Sequence, residues 1–514
     1  MSRPRHRFAR AGLLATVFIC AACGLVYELA LVALGSYLIG NTAQQASIVL
    51  GVMVCAMGLG ALIAKPLQRR AAATFALIEL LLAAVGGLSV LALYAAFAWL
   101  NLYTIAMITV AVVVGALIGA EIPLLMVLLQ RIREQSAGSA VADLFAADYI
   151  GALLGGLAFP FLLLPVFGQI RGALVVGAVN AIAGVVLVFG VFRSDLRRRT
   201  RWILTAIAAT VAVALAGCYV YSDRFEAAAQ QAMFANPIIH SEQTPYQSIV
   251  MTQSLSPFGT TDTRLYLNGD LQFASVDEYR YHESLVHPAL AAGRDEVLVL
   301  GGGDGLALRE ILSYPDVEHV TLVELDPAMT TLASTHPVLS ELNRHSFDDP
   351  RVTVVNADAF SWLRDRTDRY DAIVIDMPDP DETATAKLYS VEFYGMAASV
   401  LADDGTMVVQ SGSPYFAPKS FWCIGSSLGD AGLSVVPYHV AVPSFGDWGY
   451  FLAGRTATPE LTLDPPQPLR SLDEATLAAA AVFPPDQARR EVESSTLMRP
   501  VILDYAQSEW DYDR

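Results

Sequence analysis

The sequence predicts two kinds of structure in one chain: a multi-span α-helical membrane domain, then an α/β domain with a doubly wound, Rossmann-like sheet and a small N-terminal β-hairpin subdomain. The 514 residues are 54% hydrophobic with a mean hydropathy of +0.45, too apolar and too long for one soluble domain. Long apolar segments are confined to residues 1–222, and beyond them short apolar strands alternate with helical stretches.

The membrane domain is predicted from segments long enough to cross a bilayer, which takes about 20 apolar residues. Breaks between the segments carry turn or charge signals, such as Lys65-Pro66. Seven segments meet the requirement: 11–38, 46–64, 71–100, 103–129, 149–167, 173–191 and 202–220.

Positive charge predicts the orientation of these segments, because Lys and Arg concentrate in cytoplasmic loops. Basic residues precede the first segment and follow the second, fourth and sixth, whereas the loops at Gly40–Gln45 and near Asn101 carry no charge. The basic residues are Arg3, Arg5, Arg7 and Arg10, then Lys65, Arg69 and Arg70, then Arg131 and Arg133, then Arg193, Arg197, Arg198, Arg199 and Arg201. The N-terminus is therefore expected in the cytoplasm. With seven spans, the second half of the chain would lie outside the cell. If the seventh segment instead lies on the membrane surface or re-enters, the second half would lie inside.

Three carboxylates interrupt the apolar segments: Glu28, Glu79 and Glu121. Charged groups at such depth are costly and tend to face a bundle interior or a cavity. One interpretation is a hydrogen bond that fixes two helices together, and the other is a cation path or proton relay.

The two halves differ in charge. Residues 1–222 hold 15 Lys/Arg against 7 Asp/Glu, whereas the remainder holds 18 against 43. A strongly acidic second half argues against a nucleic-acid partner and suits a cationic ligand. The five cysteines (Cys20, Cys23, Cys55, Cys218 and Cys423) form no disulfide framework, and no metal site is expected.

The second half begins with strand-like alternation at Gln247–Gln253 and Arg264–Ala274, with a hairpin turn at Asn268-Gly269, and a helix at Val276–Ala292. The parallel strands are predicted at Glu296–Leu300, His319–Glu324, Arg351–Val355, Asp371–Ile375 and Gly405–Gln410. The expected domains are thus a membrane domain (1–222), a β-rich subdomain with a helix (223–292), a Rossmann-like catalytic domain (293–454) and an ordered C-terminal extension (455–514).

The clearest chemical signal is a glycine turn, Gly301-Gly302-Gly303-Asp304-Gly305, directly after the first parallel strand. Glycines let a ligand approach the backbone at the carboxyl end of that strand. Glu324 ends the next strand, where such sheets bind ribose hydroxyls, and Asp358 and Asp376 follow the third and fourth strands. Each single acid could be a helix cap, but four successive strands deliver a carboxylate or a glycine turn to one edge.

The turn departs from the dinucleotide pattern because Asp304 lies inside it. An acid there repels a pyrophosphate and suits a ligand that lacks phosphates and carries a positive sulfonium. This favours an S-adenosylmethionine-type ligand, and the methyltransferase type of α/β fold, over NAD.

From about Gln243 to Ala453 the sequence resembles the spermidine synthases, or polyamine aminopropyltransferases. The residues that carry the resemblance are Tyr246-Gln247, Asp277 to Glu283, the glycine turn, Val323 to Asp326, Asn356 to Ala359, Asp376 to Pro380, Leu388 to Ser390, Glu392 to Tyr394, and Gln410. The N-terminal segments resemble the bacterial members of this family that carry a membrane region.

The resemblance implies a role for each matching residue. The cosubstrate, decarboxylated S-adenosylmethionine, would be held by Gln247, Gly301, Gly303, Asp304, Glu324, Asp358 and Ala359. The amine would be bound by Tyr281, His282, Asp304, Asp379 and Gln410, with Asp376 as proton acceptor. No other cofactor is implied. The expected partners are a polyamine and the lipid membrane, with homodimerisation left open, and the expected location is the bacterial inner membrane.

Three departures from the family pattern concern the amine. Asp376-Met377-Pro378-Asp379-Pro380 replaces the usual Asp-Ser-Ser/Thr-Asp-Pro, and Asp381-Glu382-Thr383 replaces the Gly-Pro that commonly follows. Phe445 stands where soluble members often have tyrosine. The acceptor thus remains open between putrescine, a longer polyamine and another amine.

Two other functions remain open at this point. One is a methyltransferase that uses intact S-adenosylmethionine, which would need a pocket for the cosubstrate's carboxylate. The other is a polyamine-responsive transporter or sensor without turnover, which the three glutamates motivate and the intact Asp376 disfavours.

Overall fold

The computed structural model describes residues 3–39, 42–132, 137–255 and 259–510. Arg133, counted above among the charges after the fourth segment, and part of the loop at Gly40–Gln45 lie outside these ranges. The chain divides into two compact units, Met1–Ala235 and Asn236–Arg514.

The first unit is helical. Its long helices, among the described residues, are α1 (Arg3–Ile39), α2 (Thr42–Ala64), α3 (Ala71–Ala95), α4 (Tyr103–Ile132), α5 (Ala137–Ala158), α6 (Leu164–Gly190) and α7 (Arg198–Met233). By length and composition, five helical stretches within the described ranges suffice to cross a membrane: Phe8–Ile39, Thr42–Leu100, Tyr103–Arg131, Val141–Gly190 and Arg198–Met233. The second and fourth span 59 and 50 residues, and each contains two of the helices just named. The number of crossings stays a prediction.

Small residues let helices of this unit pack closely. A Cβ atom on Gly60 would lie 2.0 Å from the carbonyl oxygen of Ala116, and one on Gly119 would lie 2.0 Å from that of Met57. Close backbone approach at glycine is typical of helix pairs that gain little from the hydrophobic effect, as in lipid. Helices α2 and α4 therefore pack through their glycines.

The second unit begins with a small antiparallel sheet of four strands in sequence order. Asn268 and Gly269 both have positive φ, 53° and 97°, which is the conformation that a tight hairpin turn between the last two strands requires. The strands are β1 (Ile238–Gln243), β2 (Ser248–Leu255), β3 (Thr261–Leu267) and β4 (Asp270–Ala274), and helix α8 (Glu278–Leu290) follows.

The large sheet has seven strands in the order β10-β11-β9-β8-β5-β6-β7. The five predicted strands are present and parallel to one another. The side chains of the central strands β5 and β8 are nearly all buried, as expected for strands covered on both faces of the sheet. The strands are β5 (Glu296–Gly301), β6 (His319–Glu324), β7 (Val352–Asn356), β8 (Tyr370–Asp376), β9 (Leu401–Gln410), β10 (Ser434–Val442) and β11 (Gly446–Gly454).

Beyond the five predicted parallel strands, the sheet has two antiparallel strands at one edge that were not predicted. Strand β11 pairs antiparallel with β9, and β10 pairs antiparallel with β11, so the sheet is mixed. Pro437 lies within β10 and argues against a strand in the sequence, but β10 is the edge strand, where a missing N–H is tolerated.

Helices cover the large sheet, and the C-terminal segment packs on the same unit. Glu283 of α8 accepts hydrogen bonds from the backbone N–H groups of Arg470 and Ser471, each at 2.8 Å. The indole of Trp422 donates to the carbonyl of Gln487 at 3.1 Å. The helices are α9 (Leu306–Ile311), α10 (Pro327–Thr335), α11 (Pro337–Leu342), α12 (Ala359–Leu363), α13 (Thr383–Ala386), α14 (Val391–Val400), α15 (Pro418–Asp430), α16 (Glu474–Ala480) and α17 (Val501–Trp510).

Candidate active site

The carboxyl ends of the parallel strands line one cavity of about 950 Å³. In the sheet register, Gly301 at the end of β5 pairs with Asp376 at the end of β8. Glu324 at the end of β6 pairs with Asn356 at the end of β7. The cavity brings together all the predicted site residues: Gln247, Tyr281, His282, Gly301, Gly303, Asp304, Glu324, Asp358, Ala359, Asp376, Asp379 and Gln410.

Glycine is required at two positions of the turn after β5. Gly301 has a φ of 82°, and a Cβ atom there would lie 2.1 Å from the carbonyl oxygen of Asp376. A Cβ atom on Gly303 would lie 2.7 Å from the Oε2 atom of Glu324. The turn therefore lets the neighbouring strand and the Glu324 carboxylate approach the backbone closely, and any side chain would displace them.

Glu324 and Asp304 form an acidic end of the cavity. Glu324 accepts a hydrogen bond from the backbone N–H of Asp326 at 2.9 Å, and Asp304 accepts one from that of Leu306 at 2.8 Å. Burial raises the pKa of Glu324 to about 7 and raises the pKa of Asp304 above its ordinary value. Desolvated carboxyl groups of this kind gain from a cationic or hydroxyl-bearing ligand.

Gln247 reaches this end from the small sheet. Its Nε2 atom donates to the Oδ2 atom of Asp326 at 3.2 Å, and Thr244 Oγ1 donates to the same oxygen at 2.7 Å. Asp326 in turn caps helix α10 by accepting from the N–H of Ala328. Asp326, which lies between β6 of the large sheet and α10, thus orients Gln247 from the small sheet.

Asp358 caps helix α12 and is held by a lysine. The Nζ atom of Lys387 lies 3.0 Å from Asp358 Oδ2, and Ser361 and the N–H of Phe360 also donate to Asp358. Burial alone would raise the pKa of Asp358, but the lysine and these hydrogen bonds together lower it. Asp358 is therefore an ionised acceptor, with Ala359 beside it in the cavity wall.

Asp376, the last residue of β8, is the carboxyl group of the cavity that a buried tyrosine holds in place. The hydroxyl of Tyr281 donates to Asp376 Oδ1 at 2.5 Å. Burial raises the pKa of Asp376 to about 6, although the charge of His282 and the hydrogen bond from Tyr281 both act to lower it. A carboxylate with a pKa near neutrality is ionised at pH 7 and still accepts a proton readily.

His282 is positioned by a buried charge network. Its Nδ1 atom lies 2.9 Å from Glu278 Oε2, and Arg309 donates to both Glu278 oxygens at 2.9 Å. Burial would lower the pKa of His282, but Glu278, with Asp304 and Asp376 nearby, raises it above its ordinary value. The network therefore favours the protonated imidazole more than water does, at a position near two cavity carboxylates.

Asp379 and Gln410 lie on the side of the cavity formed by the loop after β8. Gln410 donates to Asp379 Oδ1 at 3.3 Å and to the hydroxyl of Tyr389 at 2.8 Å, and Tyr389 donates to the carbonyl of Pro378 at 2.9 Å. Burial, together with the charges of Asp381 and Asp270, raises the pKa of Asp379 to about 7, although the hydrogen bond from Gln410 acts to lower it. This side is a second acidic region, separate in sequence from Glu324 and Asp304.

Sequence reasoning missed several residues of the cavity wall. Asp270 directly follows the Asn268-Gly269 turn, and that adjacency to a predicted hairpin was the only available signal. Phe445 and Trp448 come from the turn and first residues of the antiparallel pair β10–β11, which had not been predicted. Residues of the wall that were not predicted as site residues include Asn268, Asp270, Gln272, Asp326, Asp381, Glu382, Lys387, Ser444, Phe445 and Trp448.

Phe445, which replaces the tyrosine common in soluble family members, packs among aromatic side chains of the cavity wall. Its ring packs edge-on against Tyr281 with centroids 5.9 Å apart, and against Trp448 at 5.1 Å. An apolar wall therefore lies beside the tyrosine that contacts Asp376.

Comparison with known proteins shows what this chain is similar to. Residues 278–465 match the family model described as the spermine/spermidine synthase domain. Polyamine aminopropyltransferase 1 of Streptomyces coelicolor is 61% identical over 98% of this chain and 96% of its own length. The polyamine aminopropyltransferase of Mycobacterium tuberculosis is 48% identical over 98% of this chain and 97% of its own length. A crystal structure of spermidine synthase in complex with the transition state analogue AdoDATO is 26% identical, with a TM-score of 0.44, and covers 48% of this chain and 86% of that one.

The resemblance seen in the sequence is confirmed over nearly the full length of both chains, the helical unit included. This chain belongs to the polyamine aminopropyltransferase family.

Proposed function

We propose that this protein transfers the aminopropyl group of decarboxylated S-adenosylmethionine to putrescine or a related polyamine. The products are a spermidine-type amine and methylthioadenosine. The names of the relatives support this reaction. No further cofactor takes part.

The observation that carries the proposal is the charge of the cavity wall. Among the described residues it holds one lysine, Lys387, which is paired with Asp358. Against it stand nine carboxyl groups: Asp270, Asp304, Glu324, Asp326, Asp358, Asp376, Asp379, Asp381 and Glu382. Both substrates are cations, a sulfonium bearing an ammonium and a diammonium, so one field attracts both. A cosubstrate with a free carboxylate would be repelled, which disfavours methyl transfer from intact S-adenosylmethionine.

Asp376 is the proposed proton acceptor. An amine with a pKa near 10.4 is protonated at pH 7 and has no lone pair to donate. Asp376 accepts a hydrogen bond from the ammonium and then takes its proton. The freed lone pair attacks the carbon beside the sulfonium, the carbon–sulfur bond breaks, and its electron pair remains on the sulfur of methylthioadenosine. Holding the two substrates in line supplies much of the rate.

The other residues divide between the two substrates. Glu324 suits the ribose hydroxyls, and Gln247, Asp358, Ala359 and the glycine turn suit the adenosyl group. Asp304 faces the positive end of the cosubstrate and the attacking amine. Asp379 and Gln410 suit the distal ammonium of the acceptor, and Tyr281 and His282 hold Asp376 and the amine beside it.

The reaction is tested by product analysis. Purified protein in detergent is incubated with a diamine and polyamine panel and with either decarboxylated or intact S-adenosylmethionine, and products are identified by mass spectrometry. Methylthioadenosine and an aminopropylated amine are expected from the decarboxylated cosubstrate alone. A methylated product would replace the proposal with methyl transfer. Saturable amine binding without turnover would replace it with a sensor or transporter.

We also propose that the helical unit is embedded in the bacterial cell membrane and crosses it several times. Five sufficiently long apolar stretches support this, as do large apolar side chains on helix surfaces, such as Phe161 at 79% and Val213 at 72% exposure. Release of the protein from membranes by alkaline carbonate would refute it. Protease treatment of spheroplasts and of inverted vesicles, read with an antibody to the C-terminus, then determines which side holds the catalytic unit.

A further inference from the structure

A polar cluster lies inside the helical unit and shares no residue with the catalytic cavity. Cys20 of α1, Glu79 of α3 and Glu121 of α4 each place a potential ligand atom within 4.8 Å of the other two. All three side chains are buried, with exposures of 2%, 0% and 5%. The Cys20 thiol donates to Glu79 Oε2 at 3.3 Å. Residues 59 and 101 positions apart in sequence therefore meet at one point.

The cluster has more hydrogen-bonding capacity than its protein partners use. Within the part of the chain that the structure describes, Glu79 Oε1 and Glu121 Oε1 are buried without a hydrogen-bond partner. So are the hydroxyl of Tyr27 and the Oδ1 atom of Asn180, whose residues are 1% and 0% exposed. Unsatisfied buried polar atoms are rare and call for an explanation such as a bound ion.

Both neutral side chains lie close to the cluster. Asn180 of α6 donates from Nδ2 to the Glu79 backbone carbonyl at 3.2 Å, while its Oδ1 atom is left without a partner among the described residues. The Tyr27 phenol lies within electrostatic range of Cys20, Glu79 and Glu121. Asn180 therefore contacts one of the three potential ligand residues, and Tyr27 lies near all three.

Glycines make room for this arrangement. A Cβ atom on Gly184 would lie 2.6 Å from the Cβ atom of Glu79, and one on Gly86 would lie 2.7 Å from the ring of Tyr27. Helices α3 and α6 thus accommodate the polar side chains where a larger residue would exclude them.

The three ligand residues lie at one depth. Cys20 is ten residues after Arg10, Glu79 nine after Arg70, and Glu121 ten before Arg131. At about 1.5 Å of rise per residue, each lies roughly 15 Å along its helix from a basic end. If these helices cross a membrane, as proposed above, that depth is close to the middle of a hydrocarbon core about 30 Å thick.

We propose that Cys20, Glu79 and Glu121 bind one divalent transition-metal ion, of which zinc is the best match. Two adjacent carboxylates buried together balance the two charges of such an ion. A thiol ligand favours zinc over calcium or magnesium, which require six or more oxygen ligands, bound water included. Zinc sites often have three protein ligands and a fourth position for a further oxygen atom. Here Asn180 Oδ1 or the Tyr27 hydroxyl could supply that oxygen. No metal site had been expected from the sequence.

The proposal is tested on the full chain in detergent. The protein is dialysed against a chelator and then against Zn²⁺. Bound zinc is then quantified by inductively coupled plasma mass spectrometry, with about one ion per chain expected. Glu79→Gln and Glu121→Gln should each reduce this to under about one tenth, and Cys20→Ser should weaken zinc affinity at least tenfold. Glu28→Gln and Cys23→Ser are the matched controls, since they alter the same unit outside the ligand set, and should retain the ion.

The proposal is overturned if the wild-type chain holds no more zinc than a Glu79→Gln, Glu121→Gln double variant. The two carboxyl groups would then be explained by a proton that they share. Cobalt binding to the wild-type chain covers the case in which the variants fail to fold. A sulfur-to-cobalt charge-transfer absorption, absent after Cys20→Ser, supports the site, and its absence in the wild type rejects it. Aminopropyl transfer by the same samples reports separately on the catalytic unit.

Discussion

Removing the hydroxyl of Tyr281 should move the acid limb of the pH–rate profile. Tyr281 donates a 2.5 Å hydrogen bond to Asp376, whose pKa is raised by burial to about 6. A hydrogen bond to a charged group contributes about 1.5–3 kcal/mol, and about 1.4 kcal/mol corresponds to one pH unit. In Tyr281→Phe the bond to the ionised form is lost, so the pKa of Asp376 should rise by about 1–2 units, to roughly 7–8.

The sign follows from which form is active. Only ionised Asp376 accepts a proton, so raising its pKa removes activity as the pH falls through the new value. At pH 7 the ionised fraction falls from about 90% to between about 10% and 50%, so kcat/KM should fall about 2- to 10-fold. At pH 9 most of that loss should be recovered.

The assay is kcat/KM for the amine, measured from pH 5 to pH 9.5 by release of methylthioadenosine. Tyr450→Phe is the matched control, because Tyr450 is also a buried tyrosine packed on the Tyr281 ring, at 5.7 Å, but donates to a backbone carbonyl. Its acid limb should stay in place. An unmoved limb in Tyr281→Phe, or an equal shift in both variants, would refute the assignment of Asp376 as the titrating base.

Three further changes have defined outcomes. Asp376→Asn should reduce kcat by on the order of 100-fold or more with little change in cosubstrate affinity. The control Asp430→Asn, on an exposed helix end, should leave both unchanged. Equal activity in the two variants would reject Asp376 as the base. Asp379→Asn should raise the KM for the amine about 30-fold, the equivalent of about 2 kcal/mol for one hydrogen bond to a charge, and an unchanged KM would place the distal ammonium elsewhere. Glu278→Gln leaves the buried Arg309 guanidinium, 8% exposed, without its full countercharge and should destabilise the second unit by about 3–5 kcal/mol. Thermal unfolding, followed by near-ultraviolet circular dichroism, measures this loss. An unchanged Tm would show that Glu310 alone suffices to neutralise Arg309.

The sequence predicted the cavity well because of a topological rule. Parallel strands end at one edge, so a glycine turn and acids placed after successive strands must meet there. Glu324, Asp358 and Asp376 could be assigned to the site in this way without knowledge of their contacts. Gln410 ends the fifth predicted strand and so lies at the same edge, but its role depended on family resemblance. Tyr281 depended on that resemblance altogether, since nothing in its spacing points to the cavity.

The residues that were missed come from parts whose pairing is not local. Strand β10 contains Pro437 and looks unlike a strand until its edge position is known. Phe445 and Trp448 reach the cavity only through its pairing with β11. Glu79 and Glu121 were noted singly, but their proximity to each other and to Cys20 depends on how three helices pack, which their sequence spacing does not encode.

The imbalance of charge around the cavity has a consequence for the end of the catalytic cycle. Aminopropyl transfer converts an acceptor amine into a product with one more basic nitrogen, while the sulfonium becomes a neutral thioether. Carboxylates that attract the acceptor must therefore hold the product more strongly, although they lose their attraction for the spent nucleoside. Departure of the lengthened amine is then the step most sensitive to ionic strength, and salt should raise kcat as it weakens capture of the substrate.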